Sequence, residues 1–180
     1  MKNRARLKAL EITVRLSNFN FTVRLWKMII YHYTTQKAIN SILSNRFIRP
    51  ALGGVVPPEK PAVWFSSNPK WEPTANKSIL TPDGDTRLLT TKDMFELIPL
   101  YRFGIDSREA LPWAQLVRKA RISRKMQRFL IEVGRQRGAR PTDWYGIMTL
   151  VPIDNLVFEA WRENQWCPQS LSTGNPSAPI

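Results

Sequence analysis

Two residue types that build covalent and metal centres are almost missing: the 180-residue chain has one cysteine and one histidine. Cys167 has no intrachain partner, so no internal disulfide forms. With His32 the sole imidazole, the nitrogen and sulfur ligands of a zinc site are too few. No apolar run approaches the ~20 residues that a membrane span requires. Within the first 27 residues Arg15, Arg24 and Lys27 interrupt every apolar stretch, which excludes the core of a secretion signal. The expected location is therefore cytoplasmic, with no membrane partner. No Gly-Lys-Ser/Thr phosphate loop occurs, since Gly53-Gly54 stands alone, and the single imidazole beside Thr34 argues against a serine triad. Internal repeats are absent as well.

Acids are also scarce, 14 against 27 lysines and arginines, for a net charge of +13. Such an excess either serves solubility or draws the protein to a polyanion: nucleic acid, an acidic protein or a phosphorylated ligand. Composition is otherwise that of a folded domain, with 43% hydrophobic and 11% aromatic residues, which excludes a mainly disordered chain. The charge is concentrated in two places. Residues 1–27 carry seven basic residues against Glu11, and Arg118–Arg140 carries nine against Glu132. In the second stretch Arg121, Arg124, Arg128 and Arg135 are the candidate phosphate contacts. No aromatic interleaves these arginines, so base stacking is not expected, and a solvated helix face is the alternative.

The periodicities predict an α+β domain. Residues 1–27 are a basic extension, read either as an added hairpin turning near Ser17-Asn18 or as a segment upstream of the domain. Trp26–Tyr33 reads as a strand, and Thr34 or Thr35 as the cap of a helix whose apolar face is Ala38, Ile39, Ile42, Leu43 and Phe47. Residues Arg49–Pro61 form a Pro/Gly-rich loop, Ala62–Ser66 a short strand, and a short helix begins at Pro73. Met94–Ile105 contains a strand broken at Pro99, and helices run between Ser107 and Gly138. One is capped by Ser123, with Met126, Phe129, Leu130 and Val133 on one face and Arg124, Arg128 and Arg135 opposite. Asp143–Val151 and Leu156–Trp161 are further strands, and residues 167–180 a Ser/Pro/Gly-rich disordered tail.

Three groups of residues follow in a suggestive order. Tyr31-His32-Tyr33-Thr34-Thr35 ends an early strand, Trp64-Phe65-Ser66-Ser67 ends the next, and Glu159 lies in a late one. Over residues 28–166 this order resembles the ADP-ribosyltransferase family, in its class with a histidine, an aromatic and a late glutamate. The resemblance implies split antiparallel sheets with flanking helices and NAD as substrate. It assigns His32 and Thr34 to the ribose and nicotinamide, Phe65 with Ser66 to nicotinamide stacking, and Glu159 to the nicotinamide ribose. Tyr33 occupies a position whose backbone reaches the nicotinamide amide. Arg49 and Arg102 are the candidate cations for the diphosphate.

The chemistry suits these residue types. Breaking the bond to nicotinamide builds an oxocarbenium-like charge on the ribose, which a nearby carboxylate stabilises. Other assignments remain open at this stage. His32 can be a satisfied structural histidine, Glu163 or Glu132 can be the carboxylate, one of Trp64 and Phe65 belongs to the core, and Trp144-Tyr145 reads as packing. A tRNA 2′-phosphotransferase-like enzyme and a non-catalytic nucleic-acid-binding module on the same fold are the alternative functions.

Overall fold

A computed structural model describes residues 7–16 and 19–171, with side chains described from residue 28 onward. The chain runs β1 (Leu7–Leu16), β2 (Phe19–Thr35), α1 (Gln36–Asn45), β3 (Phe47–Ile48), β4 (Val63–Ser66), a 3-10 turn (Pro73–Ala75), β5 (Ser78–Leu80) and β6 (Thr86–Leu88). It continues through α2 (Thr91–Leu97), β7 (Leu100–Asp106), a second 3-10 turn (Ser107–Glu109), β8 (Leu111–Pro112), α3 (Trp113–Lys119) and α4 (Arg124–Gln136). A third 3-10 turn (Pro141–Asp143), β9 (Trp144–Ile147), β10 (Val151–Pro152), β11 (Val157–Arg162) and β12 (Gln165–Pro168) complete it. The fold is mixed α+β with antiparallel pairing. The main sheet has the order β12-β11-β7-β2-β4-β9-β8, and β1 pairs with the front half of β2. The expected turn at Ser17-Asn18 lies outside the described residues.

Most local expectations find their element, and the departures have local causes. Thr35 holds the N-cap position of α1 without a side-chain bond, and the Gln36 N–H goes to the Pro99 carbonyl at 3.1 Å. Helix α1 stops before Phe47: Arg46 turns left-handed, at φ 61°, and Phe47 enters β3. Met94 belongs to α2 rather than to a strand, since Thr90 and Asp93 form a reciprocal capping box. Asp143–Val151 is not one strand: Asp143 closes a 3-10 turn, and β10 leaves to pair with β3. Helix α4 carries the expected Ser123 cap, but Phe129 is 59% exposed rather than part of the apolar face. Past residue 166 the chain is still paired, because β12 reaches Pro168 and the Gln169 N–H bonds the Phe158 carbonyl at 2.9 Å. The rest of the expected tail, 172–180, lies outside the described residues. Among the described residues no helix is long and apolar enough to cross a membrane.

The pleat divides the centre of the sheet into two cross-strand rows. On one face His32, Phe103 and Phe158 lie side by side across β2, β7 and β11, with the two phenyl rings stacked 4.8 Å apart. This face builds the larger core, in which Ile30, Ile39 and Phe103 are fully buried; each such side chain stabilises by roughly 1.5–3 kcal/mol. On the other face the same strands align Tyr33, Arg102 and Glu159. There the Arg102 guanidinium donates Nε–H to Glu159 Oε2 at 2.6 Å, with side-chain exposures of 7% and 6%. It also lies between the rings of Tyr31 and Trp166, at 3.9 and 4.5 Å.

Removing one member of a buried ion pair strands the other. Glu159→Ala is therefore expected to lower the free energy of unfolding by about 3–5 kcal/mol, read from urea denaturation with an unchanged slope. A loss below about 1 kcal/mol would mean that Arg102 is not dependent on this carboxylate.

Candidate functional site

The sheet opens where β2 and β4 should run together. Only Tyr31 and Ser66 pair across these strands, although β2 continues for four residues beyond Tyr31. In place of the next ladder bond, the His32 ring reaches the Trp64 carbonyl, with Nδ1 at 2.9 Å. The gap leads into a cavity of about 430 Å³, within the range of small-molecule sites. Its walls include Tyr31, His32, Tyr33, Phe65, Ser66 and Trp144 from the sheet, Glu72, Thr74 and Lys77 from the following loop, and Leu130, Val133 and Arg137 from α4.

A carbonyl oxygen only accepts, so Nδ1 of His32 carries the proton. Burial holds the imidazole down to about 4, against a smaller opposing effect of the Trp64 bond, and the ring is neutral at pH 7. Nε2 is then a lone-pair acceptor. Among the described residues it has no hydrogen-bond partner, and the ring lines the cavity. Phe65 meets His32 edge-on, with centroids 5.8 Å apart, and at 3% exposure it backs the imidazole rather than offering a free face. Trp64 is the half-buried partner of the pair.

The carboxylate in the cavity is Glu72, which is 7% exposed. Its Oε1 accepts from Thr74 N–H (3.3 Å), Thr74 Oγ1 (2.8 Å) and Trp144 Nε1 (3.2 Å); among the described residues Oε2 accepts from Ser66 Oγ alone, at 2.8 Å. A carboxylate oxygen has two lone pairs, so Oε2 keeps capacity for one more donor. Two cations join it. The Lys77 amine is pushed below its usual value by desolvation, and Arg137 sits at the C-cap of α4. With His32 neutral, these three charges give the cavity a net +1, suited to an anionic ligand.

The expected site residues divide accordingly. His32, Tyr33, Phe65 and Ser66 line the cavity. Glu159 is not among the lining residues: it lies in the same cross-strand row as Tyr33, two strands further along the sheet and bonded to Arg102. Arg102, bound to it, is likewise outside, and Arg49 lies over the Phe47 ring at 5.0 Å on the surface. Thr34 is 4% exposed and outside the lining. The other carboxylates considered are elsewhere too, Glu132 bonded to Gln136 on α4 and Glu163 in the β11–β12 turn. Arg121, Arg124, Arg128 and Arg135 are exposed on the α3–α4 surface. Burial pushes the Tyr33 phenol far up, and its hydroxyl donates to the Asn68 carbonyl.

Sequence reasoning missed Glu72, Lys77, Arg137 and Trp144. A signal existed for Glu72: an acid directly before Pro73-Thr74 is a capping pattern, and Glu72 does cap the 3-10 turn. Trp144 had a weaker one, since a buried indole N–H requires an acceptor. Among the described residues no His/Cys/Asp/Glu cluster could hold a metal ion. Comparison with protein-family models, with curated proteins and with solved structures gave no match.

The single histidine makes its titration directly readable. The imidazole proton resonances should shift with a midpoint near pH 4 instead of 6.5, with Nδ1 protonated at pH 7. Because the folded state binds this proton less tightly than the unfolded chain, its contribution to stability is whole above about pH 6.5 and falls away toward pH 4. A midpoint at or above 6 would show that the ring is not buried as described. Gly134 supplies a second check. A Cβ there would lie 2.5 and 2.6 Å from the rigid Trp144 ring. Gly134→Ala should destabilise by about 1–3 kcal/mol, against alanine's helix preference of about 1 kcal/mol. A gain in thermal stability would refute the close seating of α4.

Proposed function

We propose that this chain is an ADP-ribosyltransferase-like enzyme that cleaves NAD, releases nicotinamide and passes ADP-ribose to a macromolecular acceptor. One observation carries the reading: an open imidazole acceptor and a buried carboxylate share one aromatic-walled cavity that also holds two cations. Hydroxyl groups donate, so His32 Nε2 and Glu72 Oε2 are matched to ribose diols. Lys77 and Arg137 are matched to the diphosphate. In the step itself the bond between ribose C1′ and the pyridinium nitrogen breaks, and its electron pair leaves with neutral nicotinamide. Glu72 in this reading faces the positive charge growing on the ribose, the part first expected of Glu159. The acceptor's nucleophile then bonds to C1′ and loses its proton.

A second reading is a binding module without chemistry. It is favoured by the engagement of Glu72, whose bonds to Ser66, Thr74 and Trp144 would equally serve to brace the fold. The phosphotransferase alternative is less well supported, because Arg137 is the one arginine lining the cavity among the described residues.

Chromatographic measurement of nicotinamide after incubation with NAD separates these. Wild type should release it, and Glu72→Gln and His32→Ala should each reduce kcat by ~100-fold or more. Glu72→Gln should still bind NAD in calorimetry. Lys77→Met should raise KM more than it lowers kcat. NAD binding without release supports the module; no binding at all, or release indifferent to both substitutions, removes the enzyme reading.

A further inference from the structure

The ribbon of β1 and the front half of β2 sorts its apolar residues onto one face. Strand β1 pairs with Phe19 to Met28 of β2 and, beyond isolated contacts, packs on no other described element. The ladder with β7 begins only at Ile29. Residues opposite one another share a face and successive residues alternate, so the register sets out two rows of pairs. One row holds Glu11/Arg24, Thr13/Thr22 and Arg15/Asn20, and is continued toward the sheet by Ala9/Trp26 and Leu7/Met28. Its opposite-charge and threonine pairs both favour this register. The other row holds Leu10/Leu25, Ile12/Val23, Val14/Phe21 and Leu16/Phe19, with Lys8/Lys27 at the end nearest the sheet. Along β2 this second row runs on to Ile29 and Tyr31, and the core to which those two belong stops at Ile29. Four successive apolar pairs thus extend past the core with no described element over them. A two-stranded ribbon is marginal by itself and needs such a face covered.

From this placement we infer that the apolar face of the ribbon is covered by the same face of a second copy of the chain, the two ribbons lying antiparallel about a two-fold axis. The order of pairs is self-complementary in that arrangement. With the axis between Ile12/Val23 and Val14/Phe21, the Leu10/Leu25 pair of each copy falls opposite Leu16/Phe19 of the other. Each lysine pair then lies beyond the last apolar pair of the other copy. The two lysine pairs are about ten residues apart along the strands, roughly 33 Å, several times the Debye length at physiological salt. A parallel arrangement would set all four lysines together. A lipid surface fits the pattern less well, because Arg15 and Arg24 are on the opposite face and the free backbone edges of a two-stranded ribbon need water. An acidic protein would find cations at one end of the face and none along its four apolar pairs. Dimer formation does not depend on the NAD-cleaving reading.

Sedimentation equilibrium of the full chain tests this. Wild type at micromolar concentration should sediment at twice the 20.9 kDa chain mass, with little dependence on salt. Two variants place the same chemistry on opposite faces, each as a cross-strand ion pair that keeps the register. Val14→Lys with Phe21→Glu, on the apolar face, should raise the dissociation constant by ~100-fold or more. Thr13→Lys with Thr22→Glu, on the polar face, should leave it within about 3-fold. Near-ultraviolet circular dichroism matching wild type shows that the resulting monomer is folded. Should the charged variant not fold, Val23→Thr is the milder change and should weaken the dimer by ~10-fold. In a Cys167→Ser background, nitroxides at Lys8→Cys should lie about 33 Å apart across the dimer, against the ~10 Å sheet spacing of a parallel pair. A wild-type chain that stays monomeric, dissociation constants that do not distinguish the two faces, or the short nitroxide distance would each overturn the inference. Co-sedimentation with phosphatidylserine vesicles that the apolar-face variant alone loses would assign the face to lipid and overturn it as well.

Discussion

A buried carboxylate governs the geometry of this molecule's cavity. Glu72 cannot leave water without donors, and it collects them from three elements: Ser66 at the end of β4, Thr74 in the 3-10 turn and Trp144 at the start of β9. Hydrogen bonds to an ionised group contribute about 1.5–3 kcal/mol each, so the loop after β4 is clamped against the sheet at the charged group itself. The same indole that serves Glu72 is the surface on which Gly134 seats α4. Floor, wall and roof of the cavity thus share one chain of contacts, and a change at Gly134 is transmitted to the carboxylate.

The other end of that loop is held by Tyr33, Arg102 and Trp166. Three successive carbonyls are taken by side chains: Asn68 by the Tyr33 hydroxyl, Pro69 by Arg102, and Lys70 by Trp166 Nε1 at 2.9 Å. Tyr33 and Trp71 pack with centroids 4.9 Å apart directly beneath. Arg102 is aimed at Pro69 because Glu159 fixes its Nε and two rings enclose its guanidinium. Glu159 therefore reaches the cavity only by relay: it positions Arg102, which positions residues 68–70, which present Glu72.

How much of this was legible follows from what each signal encodes. The His32 strand, its helix, the Val63–Ser66 strand and the Ser123 cap are local patterns, and sequence reading found all four. That His32 and Phe65 meet was expected from motif order and is the case at 5.8 Å. Glu159 fails at a finer level. Which face a strand residue takes depends on register, and β11 pairs so that Phe158, not Glu159, falls in the His32 row. One residue of slip would have reversed this, and no single-strand pattern reports it. Phe129 fails because periodicity places a residue on a helix face but does not say how wide the covering surface is. Glu72 lay in a loop whose course depends on bonds from residues thirty to nearly a hundred positions away.

The cavity itself arises from pairing that stops. Were the β2–β4 ladder to continue past Tyr31 and Ser66, backbone would fill the space between His32 and Trp64, leaving no gap for a ligand. The imidazole prevents this without leaving the Trp64 carbonyl unsatisfied, because its Nδ1–H substitutes for a backbone donor. That substitution also settles the proton's place and leaves Nε2 outward. A lysine at this position would hold a charge in a buried setting. A serine would be too short to span the gap, and a glutamine would satisfy the carbonyl but lack the ring that packs on Phe65. Holding the sheet open, satisfying the exposed backbone and offering an uncharged acceptor are three demands at one position, and a neutral histidine at the strand's turning point meets them together.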